Sequence, residues 1–276
     1  MRILILGATG FLGSTLFGLA ESLNYTVFGT SRYSNGKSTI LKMDVTEKNS
    51  IVQILQEYVP DVVVWTLLSG DEEDVLINMG LTNLLSVISK KTKLIFISTD
   101  GVFSKGNGDY TEFDKPISIS EEAPLAPYIN SKIIGEKKIQ EGHPNHIIIR
   151  TGPLYGKDSN QNIEQRTQTI IREVKEKGFF YAATNMYRTF VHIEDLSKSI
   201  LELSTMNYYG LLHVGPLQKE SYFTFYKNRL RHFGFDENVI KPTEINPNVN
   251  PYILLDTSLN TQRANGLLKS QFRNIK

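Results

Sequence analysis

A glycine-rich turn near the N-terminus constrains this chain most. Gly7, Gly10 and Gly13 follow directly on the apolar run at residues 3–6. A strand that leads through such a turn into a helix is typical of dinucleotide-binding folds, in which the helix N-terminus faces a pyrophosphate. We expect Gly7 to permit the tight turn, Gly10 to let the backbone approach the pyrophosphate, and Gly13 to let the helix pack on the sheet. The other residues predicted to border the cofactor here are Thr9, Phe11 and Leu12.

Short apolar runs alternate with helical patterns through the first half of the chain. Five strands are predicted, at residues 3–6, 26–30, 62–65, 94–97 and 146–149. This alternation indicates a parallel sheet with helices on both faces. The predicted fold class is therefore α/β, a Rossmann-type doubly wound parallel sheet with a small C-terminal α/β lobe. We assign the dinucleotide-binding core to residues 1–152 and the substrate lobe mainly to residues 153–276, with about 188–215 returning to the core. Helices are expected near 163–177 and 194–203, and an aromatic segment at 222–235.

Composition argues against several classes of protein. The 276 residues carry a formal net charge of +1 without a basic run, so neither nucleic acid nor an anionic membrane is indicated as a partner. No apolar run reaches the roughly 18 residues that a membrane span requires. Cysteine is absent and the five histidines are scattered, so no metal site is predicted. We expect a near-neutral enzyme of the cytoplasm.

The end of the second predicted strand bears on the choice of cofactor. An acidic residue there would pair with the ribose hydroxyls of NAD, but the chain reads Thr30-Ser31-Arg32. Hydroxyls and a guanidinium can bind a 2′-phosphate, which favours NADP(H) over NAD(H). The alternative is a solvated surface arginine. Asp44 and Val45, after the next short strand, are predicted to lie at the adenine edge, although an isolated aspartate is also an ordinary turn residue.

Tyr128 and Lys132 lie at positions i and i+4 of a predicted helix over residues 128–140, so both side chains share one face. A neighbouring ammonium is expected to lower the pKa of the tyrosine phenol. Tyr128 could then give a proton to a carbonyl oxygen while Lys132 holds ribose hydroxyls. Such a pair also occurs by chance on exposed helices. Thr99, at the carboxyl end of a predicted strand, favours the functional interpretation because ligands bind at that end and its hydroxyl could polarise the same carbonyl.

Several motifs together carry a resemblance to a known family. They are Gly7-x-x-Gly10-x-x-Gly13, Asn78 with Gly80-Leu81-Thr82-Asn83-Leu84, Ser98-Thr99-Asp100-Gly101-Val102-Phe103, Tyr128-x-x-x-Lys132 with Ser131, Gly135 and Glu136, Arg150-Thr151 with Tyr155-Gly156, and Leu255-Asp256-Thr257-Ser258. With these motifs the chain resembles the extended short-chain dehydrogenase/reductases, and within them the dTDP-4-dehydrorhamnose reductase group. The resemblance spans nearly the whole chain.

The resemblance implies reduction of a keto-deoxysugar nucleotide with NAD(P)H, and a nucleotide sugar as the partner. It implies that Thr99, Tyr128 and Lys132 form the catalytic set and that Asn78 supports the active-site helix. Arg188 resembles the position that holds a nucleotide phosphate, the alternative being a surface salt bridge to Glu194 or Asp195. Asp100, Val102 and Phe103 are the remaining implied substrate contacts. Members of the family are often dimers, so a homodimer is possible.

The chain departs from the family pattern at two places. Gly101 stands where an aromatic residue is usual, which would remove a wall of the substrate pocket. Trp65-Thr66-Leu67-Leu68 replaces an asparagine-and-alanine run, and Thr66 and Leu67 are predicted to lie along the cofactor. The acidic run at 71–74 is interpreted as a solvated helix start.

Two other functions stay open at this stage. The first is a sugar-nucleotide epimerase or dehydratase of the same superfamily. A dehydratase usually carries a second acid beside the catalytic threonine, where this chain has Gly101. The second is a non-catalytic binding protein, because a reductase-like relative serves as a regulatory subunit of methionine adenosyltransferase. The presence of both Tyr128 and Lys132 counts against that second alternative.

Overall fold

Runs of valine, isoleucine and leucine form the strands at the centre of the molecule. The computed structural model describes residues 1–33 and 36–275. In chain order the strands are β1 (Arg2–Leu6), β2 (Thr26–Ser31), β3 (Ile40–Lys42), β4 (Val62–Trp65), β5 (Lys93–Thr99), β6 (His146–Thr151), β7 (Leu154–Tyr155), β8 (Phe180–Ala183), β9 (Tyr187–Arg188), β10 (Val191–His192), β11 (Gly210–His213), β12 (Glu220–Ser221) and β13 (Ile240–Thr243).

The helices alternate with the strands of the first half and then cluster in the second. They are α1 (Phe11–Ser22), α2 (Lys48–Tyr58), α3 (Glu73–Val75), α4 (Thr82–Val87), α5 (Ala126–Gly142), α6 (Gln165–Lys177), α7 (Ile193–Thr205), α8 (Tyr222–Arg231) and α9 (Gln262–Leu267), with a π-helical segment at Leu76–Leu81. Across the described residues, no helix is both long and apolar enough to cross a membrane.

Seven parallel strands form the central sheet in the order β3-β2-β1-β4-β5-β6-β11. The strand order reverses between β1 and β4, the position at which a doubly wound sheet opens a crevice at its carboxyl edge. The predicted α/β fold class is therefore confirmed, as are the five predicted strands. Outer strand β3 is the short strand expected before Asp44, and outer strand β11 is an addition to the prediction.

Each face of the sheet has its own apolar core. Leu16 of α1 and Ile200 of α7 pack against one face, and both are fully buried. On the other face, Ile54 of α2, Leu84 of α4 and Ile139 of α5 pack against the sheet. This two-sided burial explains why the strands are nearly continuous apolar runs rather than alternating ones.

A third apolar core belongs to the C-terminal lobe. Phe190 stacks on Phe225 with ring centroids 3.7 Å apart, and Tyr155 packs edge-on against Phe225. Helices α6 and α8 and the parallel pair β8–β13 surround this core. The predicted helices near 163–177 and 194–203 are confirmed as α6 and α7, and the aromatic segment forms α8. Helix α7 and strand β11 pack with the central sheet rather than with this lobe.

Candidate active site

The glycine turn after β1 brings α1 against the backbone of the turn itself. Gly7 has φ +89°, which a side chain would strain. A Cβ built at Gly13 would lie 2.1 Å from the Gly7 carbonyl oxygen, so no side chain fits there. Gly10 donates its N–H to the same oxygen at 3.0 Å. The Thr66 hydroxyl donates to the Leu6 carbonyl at 2.8 Å and so fixes the neighbouring loop against the turn.

The residues predicted for the adenosine end of a cofactor line one small hollow beside this turn. Its lining comprises Thr30, Ser31, Arg32, Met43, Asp44, Val45, Leu67 and Leu76. The Thr9 hydroxyl donates to Ser31 Oγ at 3.2 Å, which joins the glycine turn to the end of β2. Arg32 lies 3.7 Å from Asp44 and 3.8 Å from Glu72, and its side chain is 44% exposed. Arg32 is thus a partly solvated cation at the rim of the hollow, where it can still reach a phosphate.

An asparagine absent from the predicted site supports this hollow. The Asn83 amide donates to the carbonyls of Val45 and Thr46 at 3.2 and 2.9 Å and ties the loop after β3 to α4. The implied support of the active-site helix by Asn78 is not seen. Its side chain is exposed in the π-helical segment, and within the described residues it makes no hydrogen bond to α5.

Thr99, Tyr128 and Lys132 come together at the carboxyl end of β5. Thr99 is the last residue of β5, and its hydroxyl accepts the Gly101 N–H at 3.1 Å and donates to Asp100 Oδ1 at 3.2 Å. Helix α5 places Tyr128 close enough for the Thr99 hydroxyl to lower the pKa of the phenol. The Lys132 Nζ lies 5.7 Å from the centroid of the Tyr128 ring. A carbonyl group bound here would meet two hydroxyls.

The pKa of Tyr128 differs from the expectation. Burial is the main cause that raises it, the charges of Glu73 and Asp100 act in the same direction, and Thr99 and Arg166 oppose them; together they bring the pKa to about 12. Lys132, whose ammonium was expected to lower this pKa, has a carboxylate partner. Glu73 Oε1 lies 2.8 Å from Lys132 Nζ, and both side chains are buried. The interpretation of the acidic run as solvated is therefore wrong for Glu73, although Glu72 and Asp74 are exposed.

Arg188 connects segments of the protein and makes neither salt bridge considered from the sequence. Its guanidinium donates to the carbonyls of Tyr187, Leu254 and Leu255 at 2.6 to 2.9 Å, and its Nε lies 3.7 Å from Asp100 Oδ2. Glu194 and Asp195 pair with Arg273 instead. Arg188 is buried and most of its donors are engaged, so little of its hydrogen-bonding capacity faces the cleft.

Three residues implied as substrate contacts lie beneath the site instead. Val102 and Phe103 are fully buried, and Phe103 stacks on Tyr110 with centroids 4.2 Å apart. Asp100 is also buried, where its Oδ2 accepts the Thr257 hydroxyl at 2.6 Å. The predicted contact with substrate is wrong for Val102 and Phe103, because the chain turns inward after β5 and these side chains complete an apolar core.

The gap expected at Gly101 is already filled. A Cβ built there would lie 3.2 Å from Ile129 Cγ1 and 3.3 Å from its Cδ1. Ile129 of α5 therefore occupies the space next to the backbone where the family usually carries an aromatic residue. The predicted loss of a pocket wall does not follow from Gly101 itself.

Arg166, in the first turn of α6, is a cation of the cleft that the sequence analysis missed. The residue is exposed to solvent although many protein atoms surround its guanidinium; the resulting desolvation would lower its pKa, but Tyr222, Tyr226, Asp100 and Tyr128 together raise it. In the part of the chain that the structure describes, it makes no hydrogen bond or ion pair. The helical position of Arg166 was visible in the sequence, but only the packing of the lobe brings it towards Tyr128.

A larger cavity lies away from these residues. It has a volume of about 800 Å³ and lies between α1, α8 and the segment at 155–161, and Thr99, Tyr128 and Lys132 do not line it. Within residues 1–33 and 36–275, no three His, Asp or Glu side chains are grouped to hold a metal ion. The convergence of Thr99, Tyr128 and Lys132 makes the carboxyl end of β5 the candidate active site.

Comparison with protein families decides the assignment. A family model described as the RmlD substrate binding domain matches residues 1–252, which is most of the chain. The chain belongs to the RmlD family. A solved structure of dTDP-4-dehydrorhamnose reductase from Bacillus anthracis, in complex with NADP, superposes with a TM-score of 0.79 at 25% identity, covering 98% of this chain and 95% of that one.

Curated relatives of this RmlD-family chain carry different names. Methionine adenosyltransferase 2 subunit beta from Danio rerio is 26% identical over 185 residues, 64% of this chain and 54% of that protein. A dTDP-4-dehydrorhamnose reductase from Aggregatibacter actinomycetemcomitans is 24% identical over 214 residues, 74% of this chain and 67% of that protein. The chain spans about half the length of the methionine adenosyltransferase subunit that it matches.

Proposed function

We propose that this protein is an NAD(P)H-dependent reductase of a keto-deoxysugar nucleotide, with Tyr128 as the proton donor to the sugar ketone. The observation that carries the proposal is the convergence of Thr99, Tyr128 and Lys132 at the carboxyl end of β5, on the same edge of the parallel sheet as the glycine turn after β1. Two hydroxyls at one position are what polarisation and protonation of a carbonyl require. The resemblance to an NADP complex of a dTDP-4-dehydrorhamnose reductase supports the same chemistry.

The described residues fit a dinucleotide. The close approach of Gly13 to Gly7 leaves the turn without side chains, so a pyrophosphate can reach the backbone at the start of α1. Ser31, Arg32, Asp44, Val45 and Leu67 around the neighbouring hollow would hold the adenosine end. We favour NADP(H) because Arg32 can bind a 2′-phosphate. When bound, the cofactor supplies the hydride.

The roles of the side chains follow from their hydrogen-bonding capacity. Tyr128 donates its phenolic proton to the ketone oxygen, so that its O–H bond breaks as the alcohol O–H bond forms. Thr99 orients the ketone once its hydroxyl turns from Asp100 Oδ1, its present acceptor at 3.2 Å. Lys132 Nζ lies 5.7 Å from the centroid of the Tyr128 ring and would hold ribose hydroxyls. The phenolate that remains regains its proton from solvent before the next turnover.

A nucleotide sugar needs a cation for its diphosphate. We assign that role to Arg166 rather than to Arg188, because the guanidinium of Arg188 already donates to three carbonyls. Arg166 lies on α6 of the C-terminal lobe, near Tyr128 and without an ion pair among the described residues. A guanidinium binds two phosphate oxygens at once, which would place the sugar over Tyr128.

The first test is a fluorescence titration with NADPH and NADH, followed by a panel of 4-keto-6-deoxy nucleotide sugars. Oxidation of NADPH by one of them is the expected result. Tyr128→Phe should reduce turnover by at least about a hundredfold while leaving NADPH affinity unchanged. Failure of the protein to bind either cofactor contradicts the proposal. If the protein converts one nucleotide sugar into another without net oxidation of the bound cofactor, it is an epimerase or dehydratase.

A regulatory subunit is the second candidate function, because a curated relative is named as a subunit of methionine adenosyltransferase. Tight binding of NADP(H) without conversion of any nucleotide sugar would favour it. The catalytic set argues for the enzyme, since a binding protein does not need Thr99 and Tyr128 to meet. The predictions of a cytoplasmic location and a possible homodimer remain predictions.

A further inference from the structure

Glu73 is a buried carboxylate in an acidic segment whose neighbours Glu72 and Asp74 are exposed. Its Oε2 accepts the backbone N–H of Ser69 at 2.9 Å. Its Oε1 lies 2.8 Å from Lys132 Nζ and, apart from that ion pair, has no hydrogen-bond partner among the described residues. Removing two charges from water costs several kcal/mol per ion, so each of these groups depends on the other.

The ion pair changes what Lys132 can do for Tyr128. An unpaired ammonium near the phenol would stabilise the phenolate, whereas an ammonium held by a carboxylate contributes little net charge. The groups that face Tyr128 are Thr99 at the end of β5, Asp100 directly after it, Lys132 on α5, Arg166 on α6 and Glu73 on α3. The negative charges of Glu73 and Asp100 raise the pKa of Tyr128, in agreement with this geometry.

We propose that Glu73 is a positioning residue that holds Lys132 and neutralises its charge, so that Tyr128 rests as a protonated acid. The proposal rests on the reductase function proposed above. It adds that the protonation state of Tyr128 favours reduction of the ketone over oxidation of the alcohol. Reduction of a ketone consumes the phenolic proton of Tyr128, whereas oxidation of the alcohol needs the phenolate to remove one. A site that keeps the phenol protonated at neutral pH is therefore prepared for reduction.

The test measures the ionisation of Tyr128 in the Glu73→Gln variant, and NMR of protein labelled with ¹³Cζ-tyrosine detects it. Tyr128→Phe assigns the signal, and the titration runs from about pH 7 to 13, so that it includes a wild-type midpoint at about 12. We expect the midpoint of Tyr128 to fall by about 1–3 pH units in Glu73→Gln, the effect of an uncompensated neighbouring cation. The alkaline limb of the pH profile of kcat/KM for reduction should move to lower pH by the same amount.

Two further variants identify the cause. Asp74→Asn removes one negative charge from the adjacent exposed position and should leave the Tyr128 midpoint unchanged. The double variant Glu73→Gln with Lys132→Met replaces the ion pair by two neutral side chains, and its Tyr128 midpoint should return to that of the wild type. A midpoint that stays low in the double variant shows that Lys132 is not the cause and overturns the proposal.

An unchanged midpoint in folded Glu73→Gln also overturns the proposal. If that variant does not fold, Glu73→Asp moves the carboxylate back by one methylene and should give a smaller shift of the Tyr128 midpoint in the same direction. An unchanged midpoint in Glu73→Asp likewise overturns the proposal. The NMR titration needs no turnover. A protein that reduces no nucleotide sugar but shows the shift therefore contradicts the proposed function while supporting the charge relationship between Glu73, Lys132 and Tyr128.

Discussion

Arg150 Nη2 lies 2.6 Å from Glu136 Oε2, and only 3% of each side chain is exposed. The Arg150 Nε also donates to both oxygens of Glu136, and the Ser98 hydroxyl donates to Glu136 Oε1 at 2.5 Å. This network joins α5 to β5 and β6 about one helical turn beyond Lys132. Because Tyr128, the proposed proton donor, lies on α5, we expect the position of its hydroxyl to depend on this buried ion pair.

We predict that Arg150→Met lowers the free energy of unfolding by about 3–5 kcal/mol, because it leaves a buried carboxylate without its partner. Urea unfolding followed by circular dichroism measures the change. Lys137→Met is the matched control on the same helix, since Lys137 forms only an exposed pair with Glu141 at 3.9 Å. Equal stability of the two variants would contradict a structural role for the buried pair.

The parts of the fold and site that the sequence predicted are those set by local patterns. The apolar strand runs and the spacing of Gly7, Gly10 and Gly13 depend on a few neighbouring residues. Tyr128 and Lys132 could be placed together because residues at i and i+4 share a helix face. Thr99 could be placed at the ligand-binding edge because it ends a parallel strand of the sheet.

The errors concern side chains whose surroundings come from distant segments. Glu73 looks like one more solvated acid until Lys132 of α5 packs against it. Phe103 lies shortly after β5, yet the ring of Tyr110 stacks on its side chain. Arg188 lies near Glu194 in the sequence, but the carbonyls of the 254–255 segment take its donors. In each case the sequence pattern specifies the residue type and position but not the partner.

The close approach of α1 to the glycine turn yields a second prediction. Gly13→Ala should abolish detectable NADPH binding and lower the free energy of unfolding by about 1–3 kcal/mol, because its Cβ would lie 2.1 Å from the Gly7 carbonyl oxygen. Gly18→Ala in the same helix is the control, since only Ser159 Cβ lies within 4.0 Å of the new methyl group. That variant should bind NADPH normally and gain about 0.5–1 kcal/mol from helix propensity. NADPH fluorescence and urea unfolding provide both readouts, and normal binding by Gly13→Ala would argue against the cofactor site.

Different roles are expected for the two arginines of the C-terminal half. Arg166→Met should raise the KM for the nucleotide sugar by about 10–100-fold with little change in stability, because it removes a charge-assisted hydrogen bond to phosphate. Arg188→Met should instead lower the free energy of unfolding, because it removes hydrogen bonds to three carbonyls and leaves Asp100 buried beside it. Steady-state kinetics and urea unfolding separate the two effects. A higher KM in Arg188→Met together with lower stability in Arg166→Met would assign the phosphate contact to Arg188 instead.

His213 gives a prediction about pH. Its Nδ1 lies 2.9 Å from the Tyr110 carbonyl oxygen and its Nε2 lies 3.4 Å from Arg150 Nη1, and burial followed by the charge of Arg150 lowers the pKa of its imidazole to about 3. Because the unfolded state takes up this proton first as the pH falls, the contribution of His213 to stability is present above about pH 6.5 and is lost towards pH 3, by up to about 1.4 kcal/mol per pH unit.

His213→Gln should therefore show a shallower loss of stability between about pH 6.5 and 4 than the wild type, even if it is less stable at pH 7. Urea unfolding at pH 7, 6, 5 and 4 provides the slopes. His232→Gln is the control, because His232 is exposed and its replacement should leave the slope unchanged. Parallel pH dependences for wild type and His213→Gln would show that the imidazole can accept a proton without unfolding, and that the contact with Arg150 opens in the native state.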